Sequence, residues 1–391
     1  MRGPHDEPCG RHVVIPSTIG RVSWSQPSAD RAMRILLAAM GYDAGRLGVA
    51  RSYEYYNFCD ALQHLGHDVT FFEYDTVLAR EGRVPMNGRL ADTVRQLRPD
   101  LLFTVLHTDE LDPDVIAWVS NHTDTVTLNW FCDDQWRFDN FSRVWAPRYN
   151  WVATTSRKAW ERYREAGIGN AILTQWACNQ HRYKRQERAP CLDVSFVGQA
   201  HGGRRYLIRA ARRRGLDVKV WGPGWRSLPW ATWYGGRLSS DDMLRVFNES
   251  RVNLNFANSS VVATSDRPWH HWLAQLGRLE RVLPTEWAFL ARPAAVRQLK
   301  ARTFEIPGAG GFLLTEYVDE LEEYYELDRE VVCFTSVDEL VDRARFYLTH
   351  ETARSAIARR GHERTLRDHT YERRFAALFQ AIGLMAGTRA S

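Results

Sequence analysis

Lys300-Ala-Arg-Thr-Phe-Glu-Ile-Pro-Gly-Ala-Gly-Gly-Phe-Leu-Leu-Thr-Glu-Tyr317 is the stretch whose reading decides the fold. A basic segment leads into a carboxylate, Glu305, then into a small-residue turn from Gly308 to Gly311, then into the apolar run Phe312 to Leu314. Pro307 and three glycines are poor helix formers, so any helix that begins near Thr303 is brief. The turn, with Gly310 and Gly311, permits positive φ and close backbone approach, as a loop over a polyanionic ligand requires. Lys300 and Arg302 place cationic donors beside Glu305, which can accept from two neighbouring hydroxyls. Phosphate, ribose and a tight loop together point to a nucleotide diphosphate.

Outward from that stretch, the chain alternates short apolar runs with helical spacing. Arg34 to Met40 is an apolar run closed by the glycine-rich Gly41 to Gly48, and Tyr53 to Leu65 is helical and stops at Gly66. Further strands are predicted at Asp68–Glu73, Pro99–Leu106, Thr125–Phe131 and Trp151–Thr155, with helices at Leu90–Leu97, Asp112–Ser120 and Ser156–Ala166. A second register of the same kind starts at Asp193–Gly198 and continues through helix Arg204–Arg214, strand Asp217–Trp221, helix Asp241–Glu249 and strand Val252–Phe256. Three amphipathic helices close the chain: Val337–Leu348, Glu351–Arg367 and Tyr371–Met385. Continuous apolar strands alternating with helices mean an α/β protein with parallel, doubly covered sheets. The expected division is an extension at 1–32, a first Rossmann-like domain at 33–183, a hinge at 184–190, a second such domain at 191–368 with an insert at 261–299, and a closing helix and tail at 369–391.

Open α/β sheets bind ligands outside the carboxyl ends of their strands, so the residues there are the candidates. In the second domain Gly198 ends a strand, and Gly202-Gly203-Arg204-Arg205 opens the next helix. A glycine turn, a helix N-terminus and an arginine make an anion site, and either Arg204 or Arg205 can face the phosphate. Gly222-Pro-Gly224 ends the next strand, with Trp225 either lining a pocket there or packed in the core. In the first domain, His107 tips the third strand, and Asp133 and Asp134 follow the fourth. A histidine or carboxylate at those tips can position an acceptor hydroxyl, and being adjacent, at most one of the two aspartates points inward. Neither a cysteine cluster nor an H-x-x-x-H pattern suggests a metal.

The opening stretch, together with Glu330-Val-Val-Cys-Phe-Thr-Ser-Val-Asp-Glu-Leu340 and His369-Thr-Tyr-Glu-Arg373, resembles the CgeB-type (spore-maturation-protein-like) glycosyltransferases, relatives of the retaining GT-B enzymes. The resemblance implies the GT-B fold: two Rossmann-like domains facing across a cleft, with a C-terminal helix crossing back to the first. It implies that Glu305 binds the nucleotide ribose, that a basic residue after the first strand of the second domain binds the donor diphosphate, and that Gly222 and Gly224 lie against the nucleobase. It also implies transfer, with retention, from a nucleotide-diphosphate sugar to an acceptor hydroxyl, without metal or other cofactor and with a UDP-sugar as the expected donor. The acceptor stays open among glycan, lipid-linked, protein and small-molecule classes. One departure stands out. Many such enzymes carry Glu-x7-Glu, and eight residues before Glu305 this chain has Arg297. The alternatives are a non-catalytic nucleotide-sugar-binding or surface-assembly protein, or a nucleotide-sugar epimerase of the same fold.

Bulk properties narrow the classes. At 391 residues, with 44% hydrophobic and 25% charged residues, the chain can bury two cores. A net charge of +5, dispersed and carried almost wholly by arginine, argues against a nucleic-acid partner. Six scattered cysteines read as thiols in a reducing compartment. No apolar run approaches the ~20 residues of a membrane span, and no signal-like segment opens the chain, so a cytoplasmic location is expected.

Overall fold

The computed structural model describes residues 32–48, 50–200, 203–226, 230–257 and 297–384. Residues 1–31 of the expected extension, Gly202, and the part of the expected insert that holds Trp269, His270, His271, Trp272 and Trp287 lie outside them.

Two parallel sheets form the molecule. The first runs in the order β2-β1-β3-β4-β5-β6, from β1 (Arg34–Ala39), β2 (Asp68–Glu73), β3 (Leu101–Thr104), β4 (Val126–Phe131), β5 (Trp151–Thr154) and β6 (Ala171–Leu173). The second runs β11-β10-β9-β7-β8, from β7 (Leu192–Val197), β8 (Val218–Trp221), β9 (Ser250–Asn255), β10 (Leu313–Glu316) and β11 (Val332–Phe334). The central strands of the first sheet are buried because helices cover both faces: β1 is buried at every position after Arg34, and β3 at all of its positions.

In the first lobe a π-helical turn (Tyr55–Cys59) leads into α1 (Asp60–His64), followed by α2 (Tyr74–Glu81), α3 (Arg83–Leu97), α4 (Pro113–His122), α5 (Asp134–Arg137), α6 (Arg143–Trp145) and α7 (Arg157–Glu165). Helix α2 was not foreseen, since Tyr74 to Glu81 lacks a continuous apolar face, and α3 begins seven residues before the expected Leu90. Local capping explains several boundaries. Asp112 accepts from the Asp114 N–H ahead of Pro113, and Ser156 accepts from the Ala159 N–H. The second lobe carries α8 (Arg204–Arg213), α9 (Ser240–Glu249), α10 (Arg302–Gly308), α11 (Leu321–Tyr324), α12 (Val337–Thr349) and α13 (Glu351–Asp368), and α14 (Tyr371–Ala381) closes the described chain.

Helix α14 crosses back. Its Tyr371, Phe375, Leu378 and Phe379 sit in the core of the first lobe with Phe58, Phe103 and Trp130, and the Phe58 and Phe375 rings are 5.2 Å apart. The two passages between the lobes run side by side: Cys178 N–H donates to His369 C=O at 2.9 Å, and Tyr371 N–H to Cys178 C=O at 3.0 Å. Helix α10 packs on this crossing so closely that a Cβ on Gly308 would lie 2.2 Å from the Cys178 sulfur. Away from the crossing, the loops after β5 and β10 meet. Arg157 pairs with Glu323 at 2.6 Å and with Glu320 at 3.5 Å. The carboxyl edges of the two sheets therefore face each other.

Candidate functional site

The second lobe lines the gap with cations. Arg204, in the first turn of α8, is buried and donates to the Gln199 and Phe256 carbonyls at 3.1 and 3.3 Å, with its guanidinium over the Phe196 ring. Burial pulls its pKa down to about 10, which the Glu316 carboxylate opposes. Lys300 enters from the segment before α10. Burial lowers its pKa to about 8, Asp133 of the first lobe opposes that shift, and Arg204 adds to it. Arg204 is thus the buried arginine of the pair, while Arg205 reaches away to the Gly224 carbonyl at 2.8 Å.

The first lobe answers with His107, Glu54 and Asp133. Asp133 precedes α5, and its Oδ1 accepts from Gln298 Nε2 of the second lobe at 3.2 Å. Asp134 turns the other way. It is 1% exposed and accepts from Ser142 and, at 3.1 Å, from the Tyr163 hydroxyl inside the lobe. Burial raises its pKa to about 6 against those hydrogen bonds. Of the two adjacent aspartates, Asp133 meets the second lobe, and Asp134 is a buried group bonded within its own lobe. His107 lies with Nε2 3.5 Å from the buried Glu54 carboxylate. Burial works to lower the imidazole pKa, the pairing with Glu54 outweighs it, and the histidine is held above its ordinary value. Glu54 had no sequence signal beyond its place in a helical stretch.

Several expected site residues take other places. Glu305 is fully buried, with Oε1 accepting from the Tyr183 hydroxyl at 2.8 Å and Oε2 from Arg302. It stands one turn below the start of α10, where Tyr183 of the crossing segment covers it, so in this conformation it offers no oxygen to a ribose, and Arg302 is committed with it. Gly310 and Gly311 precede β10 and therefore stand at the amino edge of the sheet, away from the gap. Gly310, with φ +80°, ends α10 against Arg185, and Gly311 packs on Asn253 and the Phe247 carbonyl. Gly198 and Gly222 do lie at carboxyl ends, pressed on each other: a Cβ on Gly222 would meet the Gly198 carbonyl at 2.6 Å. Gly224, exposed and at φ +88°, completes that turn. Trp225 is a core residue, fully buried and donating to the Gly198 carbonyl at 2.8 Å. The Gly41 loop is anchored rather than open, since the Gly41 and Tyr42 N–H groups donate to the Asp75 carboxylate at 2.7 and 3.1 Å.

Among the described residues, no three His, Cys, Asp or Glu side chains come together as a metal site, and no helix is long and apolar enough to cross a membrane.

Residues 204–380 match the family model described as glycosyl transferase-like. No curated protein matches the chain by sequence. Among solved structures, sucrose-phosphate synthase from Thermosynechococcus elongatus is similar at TM-score 0.58 and 10% identity, over 89% of this chain and 98% of that one. A glycosyltransferase from Rickettsia africae is similar at 0.56 and 9%, over 90% and 98%. Anabaena HepE, solved with UDP and glucose, is similar at 0.54 and 11%, over 89% and 100%. At such identities the likeness is one of fold, and the fold is GT-B.

Proposed function

We propose that this chain is a glycosyltransferase that moves a hexosyl-type residue from a nucleotide-diphosphate sugar to an acceptor hydroxyl, with retention at the anomeric carbon. The observation that carries the reading is the meeting of Lys300 and Arg204 with Asp133 between two facing carboxyl edges. Cations fixed before the ligand arrives stabilise a departing diphosphate without reorganisation and without a metal. In this reading Arg204, Lys300 and the N-terminus of α8 hold the diphosphate, the Gly198 and Gly222–Gly224 turns border the nucleoside, and Asp133 and His107 position the acceptor. Glu305 acts from beneath by fixing Arg302. The HepE complex with UDP and glucose supports a UDP-sugar as donor.

A thermal-shift screen against UDP-, GDP-, ADP- and TDP-sugars tests the proposal, since a ligand that binds the folded state raises the melting temperature. One sugar nucleotide is expected to raise it by several degrees and to be turned over, with the product's anomeric configuration read by proton NMR. No shift with any of the four would overturn the assignment. Arg297, standing where the resemblance implies a carboxylate, favours a second reading: a protein that binds the sugar nucleotide without catalysis. Binding with neither transfer nor hydrolysis would select it.

A further inference from the structure

A carboxylate does stand beside Arg297, and it comes from β10. Glu316 ends β10 at the floor of the gap and is 4% exposed. Its Oε1 lies 3.4 Å from Arg297 Nε, and its Oε2 accepts from the Ala257 N–H at 3.0 Å. That N–H belongs to the same peptide unit as the Phe256 carbonyl, to which Arg204 donates at 3.3 Å. One peptide at the exit of β9 is therefore gripped by a carboxylate at its N–H and by a guanidinium at its carbonyl. The Ala257 carbonyl in turn accepts from the Gln298 N–H at 3.2 Å, and the Gln298 side chain reaches Asp133.

We infer that Glu316 sets the anion affinity of the diphosphate site: its carboxylate offsets the charge of Arg297 directly and is tied to Arg204 through the Phe256–Ala257 peptide. The inference rests on the proposed nucleotide-sugar reading and adds to it a residue no motif marks. A buried carboxylate between two guanidinium groups offsets their mutual repulsion while the site is empty. It also tempers the positive potential, so that a diphosphate is held without being trapped.

Glu316→Gln separates this role from a merely structural one, because glutamine keeps an acceptor oxygen for the Ala257 N–H and removes only the charge. Calorimetric titration with inorganic pyrophosphate is expected to show binding about three- to tenfold tighter in Glu316→Gln than in wild type, the gain shrinking at high salt. Damage to packing alone would weaken binding instead. Arg297→Gln, at a half-exposed side chain, is expected to weaken pyrophosphate binding, and the double variant to depart from additivity. Unchanged or weaker binding in Glu316→Gln, or additive behaviour of the pair, overturns the inference while leaving the glycosyltransferase reading intact. Wild-type protein that binds neither pyrophosphate nor any of the four sugar nucleotides overturns both.

Discussion

Gln298 of the second lobe donates through Nε2 to Oδ1 of Asp133 in the first, across 3.2 Å. This bond joins the segment before α10 to the exit of β4, so the two sides of the gap share a fixed register. Lys300 stands two residues further on, and its charge state answers to the same Asp133.

Replacing that carboxylate tests its share in catalysis. Asp133→Asn keeps an acceptor oxygen for Gln298 and loses the charge. The expected result is a fall in kcat of about 10²-fold, with donor KM within about threefold, because positioning an acceptor proton acts mainly in the transition state. Steady-state kinetics with the donor found by the thermal-shift screen measure it. A kcat above a third of wild type would remove Asp133 from the acceptor site.

Lys300 should take up a proton when a diphosphate binds. Burial has brought its pKa down to about 8, so near pH 8 roughly half the side chains are neutral, and an adjacent phosphate favours the charged form. Calorimetry in two buffers of different ionisation enthalpy should show uptake of about half a proton near pH 8 and almost none below pH 6.5. Lys300→Met should abolish the uptake and weaken binding. Equal heats in both buffers at pH 8 would place the lysine off the phosphate.

The Glu305 and Arg302 pair predicts a stability phenotype. Glu305→Ala leaves Arg302 and the Tyr183 hydroxyl without their carboxylate, and is expected to cost about 3–5 kcal/mol, read as a lower melting temperature. Joint replacement of Glu305 and Arg302 by leucine and methionine should be milder than Glu305→Ala alone. If Glu305 touched the ribose itself, Glu305→Gln would lose nucleotide affinity at an unchanged melting temperature.

Asp134 links stability to pH. Its pKa in the folded protein is about 6, above the ordinary 3.8, so folding favours the protonated form. The stability it supports is complete below about pH 4 and is lost as pH rises through 6. A shift of this size is worth about 3 kcal/mol between the two limits. Denaturant unfolding of Asp134→Asn and wild type should give curves that diverge between pH 4 and 7, with the variant the less pH-dependent. Parallel curves would show that the carboxyl group is ionised throughout.

Much of the scaffold was legible in the residues. Parallel strands covered on both faces favour continuous apolar runs, and the run Ile35–Ala39 announces one. Ser, Thr and Asp caps mark several helix starts because the first N–H groups of a helix need local acceptors. The crossing helix showed itself as an amphipathic C-terminal segment, and its aromatic face now fills the first lobe's core. Helix α2 was missed because Tyr74 and Asp75 are buried for reasons outside their own turn: the Tyr74 hydroxyl bonds the Val105 carbonyl, and Asp75 anchors the Gly41 loop.

The sequence by itself determined the two alternating α/β registers, the basic approach through Lys300 and the candidates at the strand ends, since periodicity and strand direction are local properties. Only the tertiary structure decided which candidates face the gap. Asp133 does and Asp134 does not, Arg204 is buried beside it while Arg205 turns to Gly224, and Glu305 lies beneath Tyr183, which is 122 residues away in the chain. The physical reason is that a side chain's exposure and charge state depend on what other elements place against it, and those elements are distant in sequence. Glu316 and Arg297, nineteen positions apart and brought to 3.4 Å by the return of β10 beside β9, are the sharpest instance.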